Sequence, residues 1–323
     1  MINKKRLVYM DIAKFFAIYF VVWGHQYVIF SDLVQGSIQR IIYSFHMPLF
    51  MLISGFFAHS TLRGDFLQLI TKKARQLLLP VVLCTLLEIL FTYLTTGSMG
   101  MQQARDIVVG NSWFLKTLFC ILLIAFVALK AVRKPTVACI LSCILLFVLP
   151  HTYSLKVNYL LPFFWFGFFL KNHQSDFERH IKAITVVALV IFAFSFSFLY
   201  QGFFDISISS LTQIPIHIIS NYITATAGCF VMLGVSFAIS KCVKCEKAKE
   251  IMCHIGQQTL EIYLLQTIIL LTILGNLFGF RTNILAEDLL ATVLSFVLIL
   301  IILYLSKIID MNKYTKLLFF GKK

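Results

Sequence analysis

Charge is scarce in this chain of 323 residues. Only 13% are Asp, Glu, Lys or Arg, where a soluble domain carries about 25%. Acid is scarcer still, with 14 Asp and Glu against 28 Lys and Arg. Proline is limited to 6 residues and glycine to 15, and neither gathers with serine into a linker. There is no low-complexity tract and no short-period repeat, which argues against a hinged pair of domains, a solenoid or a disordered tail. No polar stretch is long enough for a separate soluble domain, so one domain over 1–323 with no appended soluble module is expected. The cysteines at 84, 120, 139, 143 and 229 fall in apolar runs, and those at 242, 245 and 253 in a lysine-rich stretch. That distribution gives no extracellular disulfide framework. "CVKC" followed by "CH" at 253–254 has metal-like spacing, but cytosolic thiols account for it more simply and no metal is expected.

Hydrophobicity fills the space that charge leaves. The chain is 59% hydrophobic with a mean hydropathy of +0.89. Apolar runs recur at 9–30, 38–60, 76–96, 113–129, 136–150, 157–170, 183–200, 214–239, 255–274 and 285–306. They predict an all-α polytopic membrane protein of ten spans, the fifth and sixth short for the ~20 residues a span needs. Alternating inside and outside from a cytoplasmic amino terminus places 22 Lys and Arg inside and 4 outside. This is a positive-inside pattern, and it puts both termini in the cytoplasm. The net charge of +14 thus follows from topology and is no sign of nucleic-acid binding. The first run contains Asp11 and Lys14, is too long for a signal peptide and reads as a retained span.

Ionisable residues inside these runs are costly and mark a site or a pathway. At about 100° per residue, Lys14 and His25 lie within about 20° of one meridian and about 16 Å apart. Asp11 sits on a neighbouring meridian; snorkelling of Lys14 and pairing with Asp11 are the plain alternatives for that end. His25 is too deep to snorkel. His46 on the second span and Glu88 on the third fall at a similar depth, and a His–His–carboxylate cluster suits proton transfer. Pro48 frees a backbone carbonyl, and Ser54-Gly55 permits close helix approach. Lys72, Lys73 and Arg75 cluster at the expected start of the third span, where they anchor the helix or cradle a phosphorylated ligand. Asn111, Trp113 and Lys116 are candidates for substrate contact, as are Arg105, Asp106 and Asp205 in outer loops.

Three blocks resemble the integral-membrane acyltransferase family 3, and within it the fucose 4-O-acetylase-like branch. "DIAKFFAIYFVVWGH" fits its Arg/Lys-x10-His motif with Lys14 and His25. "FHMPLFMLISGFF" fits its second-span signature, and "KKARQLLLP" its basic motif with Lys72 and Arg75. Weaker echoes are "NSWFL" at 111–115 and "IGQQTLEIYLLQ" at 255–266. The resemblance implies transfer of an acyl group, usually acetyl, from cytoplasmic acyl-CoA to a hydroxyl of a cell-surface carbohydrate or its lipid-linked precursor, in the bacterial inner membrane. It implies no permanently bound cofactor. His25 would be the catalytic base, with Lys14 as its motif partner and Lys72, Lys73 and Arg75 handling the donor. Glu88 or His46 would orient His25, and Lys116, Asn111 or a backbone N–H near Pro48 would face the oxyanion. Two departures stand out: Lys72 replaces an Arg, and Gln266 stands where many relatives have His. A proton-coupled transporter or exporter of glycan precursors is the rival reading of the same polar stripe.

Overall fold

The structure is a computed structural model that describes residues 6–29, 37–148, 155–200, 202, 208–242, 244, 246–274 and 284–322. All regular structure among them is helical. The first helices are α1 (Val8–Gly24), which runs on as a 3₁₀ turn over His25–Val28, and α2 (Ser37–Phe57). Next come α3 (His59–Leu62) and α4 (Phe66–Lys73), then a π-helical turn over Ala74–Leu78 that leads into α5 (Leu79–Thr96). A short α6 (Met101–Gly110) precedes α7 (Trp113–Val132), α8 (Pro135–Val148), α9 (Val157–Asn172) and α10 (Gln174–Phe198). After α11 (Ile208–Gln213) follow α12 (Pro215–Lys241), α13 (Glu246–Gln257) and α14 (Thr259–Gln266), the last continued by π-helix through Leu274. The final pair is α15 (Ile284–Asp310) and α16 (Lys313–Phe320).

Among the described residues six helices are long and apolar enough to cross a membrane: α2, the continuous Phe66–Thr96 helix, α7, α10, α12 and α15. The chain is a multi-pass membrane protein. Its helices divide by how much of their surface they bury. The apolar window of α2 is 61% buried whereas that of α10 is 17% buried, so α2 is an inner helix and α10 a lipid-facing one. Val186, Val190, Phe194 and Phe198 accordingly point outward from α10. The centre is α1, whose Met10, Ile12, Ala13, Ala17, Ile18 and Val22 are fully buried. A helix apolar all round belongs in a core, and α1 is ringed by α2, α12, α13, α14 and α15.

Small residues let the inner helices close on one another. A Cβ on Gly55 of α2 would overlap the carbonyl of Phe164, and one on Gly167 of α9 the carbonyl of Leu52. The two backbones therefore cross in contact, the small-residue packing that replaces a hydrophobic driving force in lipid. Gly256 likewise admits the Asp11 carbonyl of α1. Polar bonds then fix α1 along its length. Tyr19 Oη donates to Thr292 O at 3.2 Å, Trp23 Nε1 to Thr292 Oγ1 at 3.2 Å, and Gln26 Nε2 to Ser295 Oγ at 3.3 Å. The end of α1, where His25 sits, is thereby held to α15.

One expectation changes at the basic cluster. The helix begins at Phe66, capped by Asp65, whose carboxylate accepts from Leu67 N and Gln68 N. Lys72 and Lys73 are therefore in the last turn of α4 and Arg75 is in the π turn. The N–H groups beside them are spent inside a continuous helix and cannot bind an anion.

Candidate active site

α1 and α2 run antiparallel. Lys14 Nζ lies 4.6 Å over the Phe57 ring at one end, and Tyr43 Oη donates to Gly24 O at 3.2 Å at the other. Along this pair lie three cavities. At the His25 end is one of about 300 Å³, lined among others by His25, Gln39, Arg40, Tyr43, His46, Pro48, Trp113, Lys156, Tyr159, Tyr200 and Tyr263. At the opposite end, beside the start of α1, is a vestibule of about 900 Å³. A slot of about 280 Å³ adjoins the vestibule, lined by Phe50, Ile53, Ser54, Phe57, Leu118, Leu122 and Thr259, with Lys14 and Lys73. Lys14 and Phe57 line both the vestibule and the slot. Between the slot and the His25 cavity stands a ring layer: Phe50 is 5.8 Å from Phe114, and Phe114 6.2 Å from Tyr263.

His25 Nδ1 is 3.0 Å from Gln266 Oε1. The surrounding bonds decide the proton. Thr267 Oγ1 donates to Tyr263 O at 2.9 Å, so it accepts from Gln266 Nε2 at 3.1 Å, and that nitrogen also donates to Tyr263 O at 3.2 Å. The amide oxygen therefore faces the imidazole and can only accept. In the neutral ring, Nδ1 carries the hydrogen and Nε2 the basic lone pair, as in a His oriented by a third group. Gln266 and Thr267 are buried, which keeps water from competing for these bonds.

His46 shares the cavity. Its Nδ1 donates to Ile42 O at 2.8 Å, and its ring lies 5.0 Å from that of Tyr43. Two residues further along α2, Pro48 removes the N–H that would bond the Ser44 carbonyl. Two imidazoles with fixed Nδ1–H groups thus line one aromatic-walled space. Glu88 is held elsewhere: its carboxylate accepts from Asn111 Nδ2, and it does not line the cavity. Ser112 Oγ donates to Asn111 Oδ1 at 2.7 Å, and Lys116 Nζ donates to the carbonyls of Val108 and Val109 at 2.8 and 2.9 Å. Ser112 has φ +49°, a left-handed conformation uncommon for a side-chain-bearing residue. Glu88, Asn111 and Lys116 together brace this turn, which presents Trp113 to the cavity with Lys156 Nζ 5.2 Å over its ring.

Lys14 is bonded to Asp11 Oδ1 at 3.3 Å, and Asp11 also accepts from Arg6 Nε at 2.7 Å. Lys14 and His25 therefore serve different ends of α1. Of the basic cluster, Lys73 lines the slot, Lys72 is exposed, and Arg75 Nε is buried without a hydrogen-bond partner. Arg105 and Asp106 lie on α6; Asp205 and Cys245 lie outside the described residues. Among the described residues no group of three His, Cys, Asp or Glu is placed to hold a metal. The residues with no sequence signal are those gathered from distant helices: Tyr43, Tyr159 and Tyr263 around His25, and Lys171 and Lys241 in the vestibule.

The acyltransferase domain family (Acyl_transf_3) matches residues 7–307. The chain is 31% identical over 194 residues to nodulation protein NolL of Sinorhizobium fredii, covering 54% of this chain and 52% of that protein. It is 32% identical over 203 residues to nodulation protein NolL of Mesorhizobium japonicum, covering 57% and 54% respectively. The chain thus spans about half the length of the curated relatives it matches. No solved structure matches it.

Proposed function

The chain belongs to the acyltransferase family whose domain it matches over residues 7–307, and on that premise we propose that it moves an acyl group, acetyl foremost, from cytoplasmic acyl-CoA to a hydroxyl of a cell-surface carbohydrate or its lipid-linked precursor. In this reading ten helices cross the bacterial inner membrane, both termini are cytoplasmic, and no cofactor is permanently bound. The supporting observation is His25: its Nδ1–H is fixed on Gln266, and it lines a cavity walled by Trp113, Tyr43, Tyr159 and Tyr263. Aromatic walls with a few polar groups suit a sugar.

A sugar hydroxyl is a weak nucleophile at neutral pH. His25 Nε2 takes its proton as the oxygen attacks the thioester carbonyl, a step general-base catalysis accelerates by about 10²–10⁴. The new C–O bond replaces the C–S bond, and the proton on His25 passes to the departing CoA sulfur. His46, with its own Nδ1 tied to Ile42 O, offers Nε2 as an acceptor that orients the sugar. Trp113 is the stacking platform, held by Asn111, Glu88 and Lys116. Lys14 and the cluster of Lys72, Lys73 and Arg75 handle the donor at the opposite end, Lys14 and Lys73 facing the slot directly. The acyl arm enters the slot and passes the layer of Phe50 and Phe114 to reach His25, a distance of about 16 Å along α1.

Inside-out membrane vesicles supplied with acetyl-labelled acetyl-CoA test this. Label in a base-labile ester of the glycan or lipid-linked fraction is expected. Unconsumed donor and no labelled carbohydrate, with the protein present and folded, would refute it.

A further inference from the structure

The vestibule is the larger of the two cavities at the start of α1, and its chemistry is distinct from that of the slot. Four cations reach it from four places in the chain: Arg6 before α1, Lys14 on α1, Lys171 at the end of α9 and Lys241 at the end of α12. Among the described residues only two carboxylates, Asp11 and Glu178, line it. Asp11 is engaged by Arg6 and Lys14, while Glu178 accepts from Gln174 Nε2 at 2.6 Å. Three of the cations rest on aromatic faces: Lys14 on Phe57 at 4.6 Å, Lys171 on Phe56 at 4.9 Å and Lys241 on Phe237 at 5.2 Å. A ring face steers an ammonium without neutralising it. Lys171 Nζ is further aimed by Gln174 Oε1 at 2.5 Å. The result is a partly enclosed cavity with an excess of two positive charges, and Ser60 and Gln257 on its wall as neutral donors.

We propose that the vestibule is a phosphate site that seats the nucleotide diphosphate of the acyl donor through Arg6, Lys171 and Lys241. Lys14 stands at the threshold where the arm turns into the slot. This rests on the acyl-CoA reading above and relocates its charged end: the phosphates seat among helices α1, α9 and α12, while Lys72 and Arg75 of the sequence motif lie outside the vestibule. The shape supports the assignment. A bulky anion needs the roomy, cationic chamber, a thin apolar arm needs the narrow slot, and Lys14 and Phe57 join the two. Point-charge ammonium groups serve phosphate well without a planar fork.

The test is CoA binding to the full chain in discs of zwitterionic lipid. Adenosine 3′-phosphate 5′-diphosphate, the CoA nucleotide with its diphosphate but without the pantetheine arm, is the second probe. Lys171→Gln and Lys241→Gln should each weaken both probes about tenfold or more, because a hydrogen bond to a charged group is lost. Lys171→Arg should recover most of the loss, and Lys130→Gln, at the end of α7, should leave binding as in the wild type. Wild-type affinity in Lys171→Gln and Lys241→Gln, with loss in Lys72→Gln or Arg75→Gln, would overturn the vestibule and leave the acyltransferase reading standing. Binding of anionic lipid at the vestibule without any binding of CoA would make it a headgroup site and also overturn the proposal. No CoA binding and no CoA release by the wild type would remove the acyl-CoA reading itself. Equal thermal melting of the variants guards against misfolding.

Discussion

Replacing Gln266 by Leu probes how His25 is made a base. The side chain keeps its size, but the acceptor 3.0 Å from Nδ1 disappears. A buried N–H left without a partner costs about 1–3 kcal/mol. The ring can escape that cost by moving its hydrogen to Nε2, which removes the lone pair the sugar hydroxyl needs. Either way the transition state loses about that energy. At about 1.4 kcal/mol per tenfold, kcat should fall about five- to 140-fold. Gln266 is bonded to His25 Nδ1 and does not line the cavity, so KM for acetyl-CoA and for the acceptor should stay near the wild-type values. Gln266→Glu makes the complementary perturbation. Its carboxylate stabilises the protonated ring, the idle form of a base, so the acid limb of the pH–rate profile should move upward by about one unit or more. Activity would then return on raising the pH. Gln266→His, which supplies an acceptor nitrogen, should retain more activity than the Leu variant. The assay is CoA release with a thiol reagent over a range of pH, on protein checked by size exclusion. A folded Leu variant with unchanged kcat and an unchanged pH profile would refute the tautomer argument.

Other outcomes follow from the same geometry. Gly55→Ala places a methyl on the Phe164 carbonyl, an overpacking that should cost about 1–3 kcal/mol and lower the melting temperature. Ser54→Ala removes only a bond within α2, Ser54 Oγ to Phe50 O, and should melt close to the wild type. Trp113→Ala should raise KM for the carbohydrate severalfold, since an aromatic contact contributes about 0.5–1.5 kcal/mol, while CoA binding holds. Phe114→Ala thins the layer between the slot and the His25 cavity and should raise CoA release uncoupled from transfer; unchanged coupling would show that the acyl arm takes another route. Cys253, on α13, has its thiol pushed up by burial and by the nearby Asp11 carboxylate, against Arg6 and Lys249. Maleimide labelling of it should be slow at neutral pH, quicken as the pH rises, and proceed only from the cytoplasmic side.

Much of the fold was legible because lipid imposes a simple rule on sequence. A long apolar run must be a helix, and an ionisable group within one must be paid for. Ser54-Gly55 announced a close approach, and α2 and α9 do meet at Gly55. The pairing of His25 with His46 in one cavity followed from depth alone, since both were expected in the same half of the bilayer. Depth does not give direction, however. Glu88 was expected at a similar level, but on α5 it bonds Asn111 and braces the Trp113 turn. Likewise the basic cluster was read as a helix start, whereas Asp65 caps that helix earlier and leaves Lys72 exposed. The partner of His25 was visible only as a departure from a motif. Gln266 is 241 positions away, and no local pattern joins it to α1. The vestibule was invisible for the same reason: Arg6, Lys171 and Lys241 each read as ordinary inside-facing cations until the packing of α1, α9 and α12 drew them together.

The central claim is that His25 moves the proton in acyl transfer. Its most direct test is acetyl-CoA turnover by the purified protein, wild type against His25→Ala, with donor binding followed in parallel. CoA released by the wild type, and donor still bound but no longer turned over by the variant, is the predicted result. Full turnover by a folded His25→Ala protein would contradict the claim, and a wild type that neither binds nor cleaves the donor would return the polar stripe of α1 to transport.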